Sequence, residues 1–291
     1  MAPPWTIGSL VAWAAEYLAK HGADAPRLSG ELLLAQVLGL KRIDLYLRFE
    51  QPLTTEELAA FKALILRRRG REPLAYILGS KEFYGLEFKV GPGVLIPRPE
   101  TEHLVEEALA RLKDQTAPRL LDLCTGSGAA PLAILAHHPT ATAVGVDLSP
   151  AALNYARHNA AALGLADRVT WREGDLWDAV APDGGFFEVI TANPPYVSDS
   201  EYQDLSPEVR DYEPKQALIA GADGLDLIRA IIAGAGAFLR PLGWLLIEIG
   251  AGQGPRALEL ARNADIFQEI TTVNDLAGIP RVLACQRGDW G

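Results

Sequence analysis

The chain has 291 residues, of which 49% are hydrophobic and 22% are charged. This composition is typical of a globular protein that buries a large core, and the length predicts one large domain with a smaller one. The formal net charge of −10 argues against stable nucleic-acid binding, because proteins that bind a phosphate backbone do so with Lys and Arg.

Cysteine usage and hydropathy bear on location and metal content. Only two cysteines occur, no apolar signal segment follows Met1, and no apolar run is long enough to cross a bilayer. We therefore expect a cytoplasmic protein that does not enter a membrane. The His and Cys residues show no metal-ligand spacing, so we expect no bound metal.

Residues 1 to 79 predict a small helical bundle, because apolar residues recur there at the spacing of one helix face. Thr54, with Glu57 three residues later, predicts a capping box at the start of one helix, and Gly70 marks its end. A run of arginines between residues 67 and 71 lies at that end. We interpret it as cations favoured at a helix carboxyl end and exposed to solvent, rather than as a docking site.

Residues 80 to 98 predict a linker between this bundle and the large domain. The stretch from Phe83 to Val90 contains aromatic residues on both sides of Gly85, a pattern that predicts a β-hairpin. Residues 99 to 291 then form the third predicted segment.

In this third segment, predicted strands alternate with helices that start near Ala129, Pro150 and Gly224, which indicates an α/β protein with a mostly parallel, doubly wound sheet. The last two strands are separated only by a short turn and must be antiparallel. The predicted strands are Arg119 to Leu123, Ala141 to Asp147, Val169 to Arg172, Phe186 to Thr191, Trp244 to Ile249, Gln268 to Val273 and Arg281 to Gln286. A seven-stranded doubly wound sheet with a terminal antiparallel hairpin is typical of the class I S-adenosylmethionine-dependent methyltransferase fold. A dehydrogenase domain would instead continue with parallel units.

A glycine turn follows the first of these strands. In Cys124-Thr125-Gly126-Ser127-Gly128, the glycines let backbone amides approach a ligand where Cβ atoms would collide. Asp147 ends the second strand, where a carboxylate can accept hydrogen bonds from both hydroxyls of a ribose. Pro131 stands where a dinucleotide fingerprint needs its third glycine, and no phosphate-binding Lys follows. The pattern therefore favours a nucleoside sulfonium over NAD.

A third candidate element comes just after the third strand. Asp175 could accept a hydrogen bond from an adenine amine, and either Leu176 or Trp177 could cover the adenine ring. The sequence leaves the choice between these two side chains open.

The fourth predicted strand ends at Asn193-Pro194-Pro195-Tyr196. Ligands of open α/β sheets bind outside the carboxyl ends of the strands, which places this tetrapeptide on the cofactor side. An amide nitrogen is a poor nucleophile because its lone pair is delocalised. The Asn193 side-chain carbonyl and the Pro194 peptide oxygen can accept its two N–H bonds, and the ring of Tyr196 can lie against the planar group. The tetrapeptide predicts methyl transfer to a planar nitrogen.

Other functions remain open on the residues alone. An exocyclic amine of a nucleobase in RNA or DNA is also planar and delocalised, so its methylation is the main alternative. A catalytically silent nucleoside-binding module is a second, against which the intact Asn193 and Tyr196 argue. A nicotinamide-dependent dehydrogenase is the weakest.

The chain resembles the HemK/PrmC family, the protein-(glutamine-N5) methyltransferases of peptide-chain release factors. The resemblance covers nearly the whole chain and rests on these stretches: Glu72 to Gly79, Phe83 to Gly85, Ile96 to Glu102, Asn193 to Tyr196, Glu213-Pro214 and Asp223 to Leu225. One departure is Cys124, because the family usually has Gly at that position.

The resemblance implies both a cofactor and a partner. The cofactor is S-adenosylmethionine, which leaves as S-adenosylhomocysteine. It is held by Cys124 to Gly128, Asp147, the Asp175-Leu176 region and Asn193. The partner is a class I peptide-chain release factor, whose Gly-Gly-Gln glutamine is gripped by Asn193 to Tyr196 and which docks on the amino-terminal domain. The resemblance also implies that Pro97-Arg98-Pro99 borders the active site.

The segment from Ser198 to Ala217 is long and acidic and directly follows the tetrapeptide. Long loops in compact domains are often lids. We hypothesise that it folds over the substrate, with a solvated connection as the alternative.

Overall fold

A computed structural model describes residues 5–180 and 185–289. The helices are α1 (Ile7–Lys20), α2 (Pro26–Leu38), α3 (Arg42–Leu47), α4 (Thr55–Arg69), α5 (Leu74–Leu78), α6 (Glu102–Leu112), α7 (Ala129–His137), α8 (Pro150–Ala162), α9 (Pro207–Arg210), α10 (Asp226–Ala235) and α11 (Gly254–Asn263). The strands are β1 (Ser80–Phe83), β2 (Leu86–Lys89), β3 (Arg119–Leu123), β4 (Thr142–Asp147), β5 (Val169–Glu173), β6 (Phe187–Ala192), β7 (Leu239–Glu248), β8 (Phe267–Asn274) and β9 (Pro280–Arg287). No helix in the described part of the chain has the length and apolar character that crossing a membrane requires.

The chain divides into two compact units. The first contains the residues up to Ser80 together with Ser206–Tyr212, and the second contains Lys81–Leu205 and the residues from Glu213 onward. The domain boundaries predicted at residues 79 and 98 stay a prediction.

The first unit is built from α1 to α5 around one apolar core, which includes Ile7, Leu33 and Phe61. The predicted capping box begins α4: Thr54 Oγ1 accepts from the backbone N–H of Glu57, and a Glu57 carboxylate oxygen accepts from the backbone N–H of Thr54 at 2.8 Å. The predicted helical bundle and its capping box are therefore confirmed.

One residue of the arginine run at the end of α4 is buried, although the sequence predicted exposure to solvent. The side chain of Arg68 is only 1% exposed, so the expectation of solvent exposure is wrong for this residue. Its guanidinium donates to the carbonyl of Glu72 at 3.0 Å and pairs with the carboxylate of Glu208, 3.3 Å away in the Ser206–Tyr212 segment. Burial lowers the pKa of Arg68. A buried partner 140 residues later in the chain makes this arginine part of the core.

The second unit contains the seven-stranded sheet, whose strand order is β5-β4-β3-β6-β7-β9-β8. Strands β3 to β7 pair in parallel, and β9 pairs antiparallel with both β7 and β8. The predicted fold class, five parallel strands closed by an antiparallel hairpin, is confirmed. The hairpin β1-β2 is also present, as a separate two-stranded sheet.

One strand starts earlier than predicted. β7 begins at Leu239, whereas the sequence predicted a start at Trp244. The pairing of β6 with β7 is irregular there, since Phe187 lies opposite Leu239 and Val189 lies opposite Trp244. A β-bulge or similar irregularity accommodates the extra residues of β7 at this point, and the strand continues past it.

The two faces of the sheet bury separate apolar clusters. Leu121, Ile190 and Leu245 belong to one cluster, which also includes residues of α10 and α11. Leu120, Val189 and Leu246 belong to the other, which includes residues of α6 and α7. Because side chains alternate along a strand, the polar residues Asp122, Thr191 and Glu248 lie on the face that α6 covers.

Candidate active site

The site lies in a cavity of about 240 Å³ in the second unit. Its walls come from the carboxyl ends of β3 and β4, from the segments that follow β3 to β6, and from residues 93–101 and 214–217. A site at the carboxyl ends of the strands is expected for an open α/β sheet. The predicted site residues among its walls are Cys124, Thr125, Gly126, Ser127, Asp147, Asp175, Leu176, Asn193 and Pro195.

The glycine turn and Asp147 are directly bonded to each other. The backbone N–H of Gly126 donates to Asp147 Oδ2 at 2.7 Å, and the backbone N–H of Ser149 donates to Oδ1 at 2.8 Å. Burial raises the pKa of Asp147, while these two backbone hydrogen bonds act in the opposite direction. Each carboxylate oxygen has a further lone pair, so the pair can still accept from a diol.

The turn requires left-handed backbone at Cys124, Gly126 and Gly128, with φ values of 56°, 56° and 78°. Gly128 does not line the cavity; a Cβ there would lie 2.8 Å from the ring of Trp171. Cys124 thus occupies a backbone conformation that favours glycine.

Cys124 is not suited to act as a nucleophile. Burial, together with the nearby carboxylates of Asp147, Asp122 and Asp175, raises the pKa of its thiol well above the usual range. The neutral thiol packs against the apolar cluster that contains Leu121.

The structure distinguishes the two residues that the sequence left open for covering an adenine ring. Leu176 lines the cavity, and so does Asp175. Trp177 does not line it: its ring stacks on Phe238 with centroids 5.1 Å apart, and its Nε1–H donates to the carbonyl of Ala230. Leu176 is therefore the side chain available for that contact.

The tetrapeptide after β6 is only partly in the cavity wall. Asn193 and Pro195 line the cavity, whereas Pro194 and Tyr196 do not. The carbonyl of Tyr196 accepts from Gln253 Nε2 at 2.9 Å, and Gln253 Oε1 accepts from the backbone N–H of Gly250 at 2.8 Å. Burial, with a smaller contribution from Glu248, raises the pKa of Tyr196 to about 12, so its hydroxyl stays neutral.

The amide of Asn193 has a defined partner. Its Nδ2 donates to the hydroxyl oxygen of Thr101 at 3.0 Å, which leaves the carbonyl oxygen Oδ1 available as an acceptor. Thr101 is 5% exposed and also lines the cavity. The arrangement can therefore present a carbonyl acceptor to a bound group at the carboxyl end of β6.

An ion pair with a buried carboxylate joins two segments of the wall. Glu213 accepts from the backbone N–H of Ile96 at 3.0 Å and from the guanidinium of Arg98. Their neighbours Pro97 and Pro214 both line the cavity. The stretches Ile96 to Glu102 and Glu213-Pro214, which carried the sequence resemblance, thus meet beside the tetrapeptide.

Several wall residues carry no prediction of their own from the sequence: Gly93, Val94, Leu95, Asp122 and Leu227, and also Thr101 and Gln216, which were included only within longer stretches. A signal existed for Asp122, which is a carboxylate within the apolar strand β3. It accepts from Thr191 Oγ1 at 2.6 Å, and burial raises its pKa to about 7. No comparable pattern marks the others, which lie in loops or at the starts of α6 and α10, because their approach to the cavity depends on the tertiary fold.

Family descriptions match both parts of the chain. Residues 9–79 match the PrmC N-terminal domain, and residues 120–212 match a methyltransferase domain. Among solved structures, a methyltransferase from Pyrococcus furiosus aligns with a TM-score of 0.51 at 18% identity, covering 78% of this chain and 98% of that one. This likeness shows the fold alone.

Curated relatives are much more similar. A release factor glutamine methyltransferase from Geobacter sulfurreducens is 44% identical over 284 residues, which is 98% of each chain. One from Rhodopirellula baltica is 40% identical over 288 residues, covering 98% of this chain and 97% of that one. Identity at this level over nearly the full length of both partners, with both domain types matched, shows that the chain belongs to the release factor glutamine methyltransferase family.

Proposed function

We propose that the protein transfers the methyl group of S-adenosylmethionine to the side-chain amide nitrogen of the glutamine in the Gly-Gly-Gln motif of class I release factors. The observation that carries this proposal is that Asn193 shares one cavity with the glycine turn and Asp147, in a chain whose relatives at 38–44% identity are named for this reaction.

The cofactor half of the proposal rests on the walls around the glycine turn. The Asp147 carboxylate would accept the ribose hydroxyls, and the backbone of residues 124–128 would pass close to the sulfonium side of the cofactor. Asp175 and Leu176 would contact the adenine. Cofactor binding supplies an activated methyl group; the protein supplies the shape and polar partners that hold it.

The acceptor half rests on Asn193. The reacting amide nitrogen must give up its conjugation with the carbonyl, and acceptors that draw its N–H bonds out of plane favour that change. Asn193 Oδ1 takes no part in the hydrogen bond that holds Nδ2, so it is the acceptor that the cavity wall offers to the substrate amide. Alignment of nitrogen, methyl carbon and sulfur can contribute roughly 7 to 11 kcal/mol. No strong base is needed, because the alkylated nitrogen is acidic enough to lose its proton to water.

The proposal also gives roles to Tyr196 and to the first unit. Gln253 Nε2 donates to the carbonyl of Tyr196 and so fixes its backbone. Tyr196 would then shape the site without lining the cavity itself. The amino-terminal helices would dock the release factor, and action on a translation factor would place the protein in the cytoplasm.

The test is a methylation assay with labelled S-adenosylmethionine and a purified class I release factor, followed by mass mapping of the modified residue. We expect the label on the Gly-Gly-Gln glutamine, and none on a release factor in which that glutamine is alanine. Label on RNA added to the same reaction, with none on the protein, would overturn the proposal in favour of nucleobase methylation.

A pair of variants tests the residue assignment. Asn193→Ala should lose turnover but keep its affinity for S-adenosylhomocysteine, measured by calorimetry. Asn263→Ala makes the same change on an exposed residue at the end of α11 and should behave as the wild type. Equal turnover in the two variants would remove Asn193 from the mechanism.

A further inference from the structure

Three polar side chains meet beneath the cavity wall at the ends of β6 and β7. Ala192 lies opposite Ile247 in the parallel pairing of these strands, so the next residues, Asn193 and Glu248, are level with each other. Both follow the alternation that places Thr191 and Leu246 on the face covered by α6. The hydroxyl of Thr101, just before that helix, accepts from Asn193 at 3.0 Å, and Thr101 also acts to lower the pKa of Glu248.

Glu248 is unusual for its position. Its side chain is 1% exposed in a strand that is otherwise apolar at this end, and its Oε2 has no hydrogen-bond partner among the residues that the structure describes. Burial raises the pKa of Glu248 to about 7, and the hydrogen bond from Thr101 acts in the opposite direction. A buried carboxyl costs stability, so its presence calls for a role that an apolar residue could not fill.

The hydroxyl of Thr101 links this carboxyl to the candidate active site. A hydroxyl has one proton to donate and lone pairs with which to accept. If the Glu248 carboxylate takes the proton, the oxygen of Thr101 can only accept from its other neighbour. That neighbour is Nδ2 of Asn193, at 3.0 Å. Without the carboxylate, the hydroxyl could equally donate to Oδ1, and the amide of Asn193 could turn over.

We propose that Thr101 and Glu248 are positioning residues that fix the amide of Asn193 in the orientation that leaves its carbonyl oxygen free for the methyl-accepting group. This inference rests on the proposed function, because it concerns how Asn193 would accept an N–H bond of the substrate glutamine. In this role Thr101 and Glu248 act through Asn193 and not on the reacting atoms.

The kinetic test compares Thr101→Val with Thr101→Ser. Valine keeps the shape but removes the hydroxyl, whereas serine keeps the hydroxyl and removes a methyl group. We expect kcat to fall about 10- to 100-fold in Thr101→Val, since one acceptor of the reacting group is misdirected. The KM for the release factor and the dissociation constant of S-adenosylhomocysteine should change less than about threefold, because these report ground-state binding. Thr101→Ser should restore kcat to within about threefold of the wild type.

A second readout does not depend on activity. The chain has five asparagines, so selective ¹⁵N-asparagine labelling gives few side-chain amide signals, and Asn193→Ala identifies the one of interest. In Thr101→Val that signal should shift and its hydrogens should exchange faster with solvent, while in Thr101→Ser it should stay near its wild-type position. Glu248→Leu, which removes every acceptor for the Thr101 hydroxyl, provides the same test if Thr101→Val does not fold.

The outcomes separate the two proposals. Wild-type kcat or an unchanged Asn193 amide signal in folded Thr101→Val would overturn the positioning role. A wild-type protein that leaves the release factor unmethylated would overturn the proposed function, while the amide signal would still report whether Thr101 orients Asn193.

Discussion

Replacing Glu248 with glutamine should make the protein more stable at alkaline pH. The pKa of this carboxyl is raised to about 7 in the folded protein, from an ordinary value of 4.5, and the largest cause is burial. Between these two pH values the folded state binds more protons than the unfolded state, so stability falls as pH rises through this window. Each unit of difference corresponds to about 1.36 kcal/mol, so the carboxylate costs roughly 3 kcal/mol above pH 7.

Glutamine has nearly the shape of the neutral carboxyl and cannot ionise. Glu248→Gln and the wild type should therefore melt at similar temperatures at pH 5, and the variant should melt higher at pH 8. For a unit as large as the second one, which contains Glu248, roughly 3 kcal/mol corresponds to a rise in melting temperature of about 6 to 12 °C at most. Asp122, whose pKa is also raised to about 7 by burial, titrates in the same window but is present in both proteins, so it cancels in the difference.

The assay is differential scanning calorimetry of the wild type and the variant from pH 5 to pH 8. Glu100, Arg98, Arg281 and Tyr196 surround the carboxyl and are unchanged in the variant. Glu269→Gln makes the same chemical change on an exposed side chain of β8 and serves as the control. A difference between wild type and Glu248→Gln that stays constant across this pH range would refute the reasoning.

Three further variants test the site and the first unit. Asp147→Asn should weaken S-adenosylhomocysteine binding by about 100-fold in calorimetry, because an amide NH₂ would face one of the two backbone N–H groups that now donate to the carboxylate; unchanged affinity would remove this residue from the cofactor site. Arg68→Met should lower the unfolding free energy of the first unit by roughly 1 to 3 kcal/mol, because the carbonyls of Asp24 and Glu72 lose their donor while Glu208 keeps Arg71. Arg69→Met, on the exposed side of the same helix, should cost about 0.5 kcal/mol. Gly128→Ala should melt lower than Gly164→Ala, because both glycines have positive φ but only the first Cβ would meet an indole ring; equal melting points would mean that the ring moves aside.

The sheet and the glycine turn could be predicted from the sequence. Their signals are either short local motifs or depend on the regular alternation of strands and helices. Gly126 and Asp147 are 21 residues apart, yet consecutive parallel strands bring their carboxyl ends together, and the bond between them follows. Helix starts at Ala129 and Pro150 were likewise visible from the turn and the proline. The start of β7 was not, since a strand irregularity there uses residues that usually mark a turn.

Contacts between distant segments could not be predicted from local patterns. Arg68 looked like an exposed cation at a helix end, because its partner Glu208 lies 140 residues later in a loop that the sequence marked only as long and acidic. That loop is now seen to divide: Ser206–Tyr212 belongs to the first unit, while Pro214 and Gln216 line the cavity in the second. The lid hypothesis for this segment stays a prediction.

Thr101 and Glu248 show why the tetrapeptide alone does not define the site. The sequence presents Asn193 as an acceptor, but an asparagine amide offers a donor and an acceptor on almost equal terms, and only its neighbours decide which faces the substrate. Those neighbours are 92 residues before it and 55 residues after it, in the printed numbering. A charged residue at the end of an apolar strand was the only visible trace of that arrangement. If the carboxylate at position 248 costs stability and at the same time directs Asn193, then Glu248→Leu, which leaves no acceptor for the Thr101 hydroxyl, should gain melting temperature at pH 8 and lose turnover in the same preparation. A purely structural carboxyl would change the first quantity without the second.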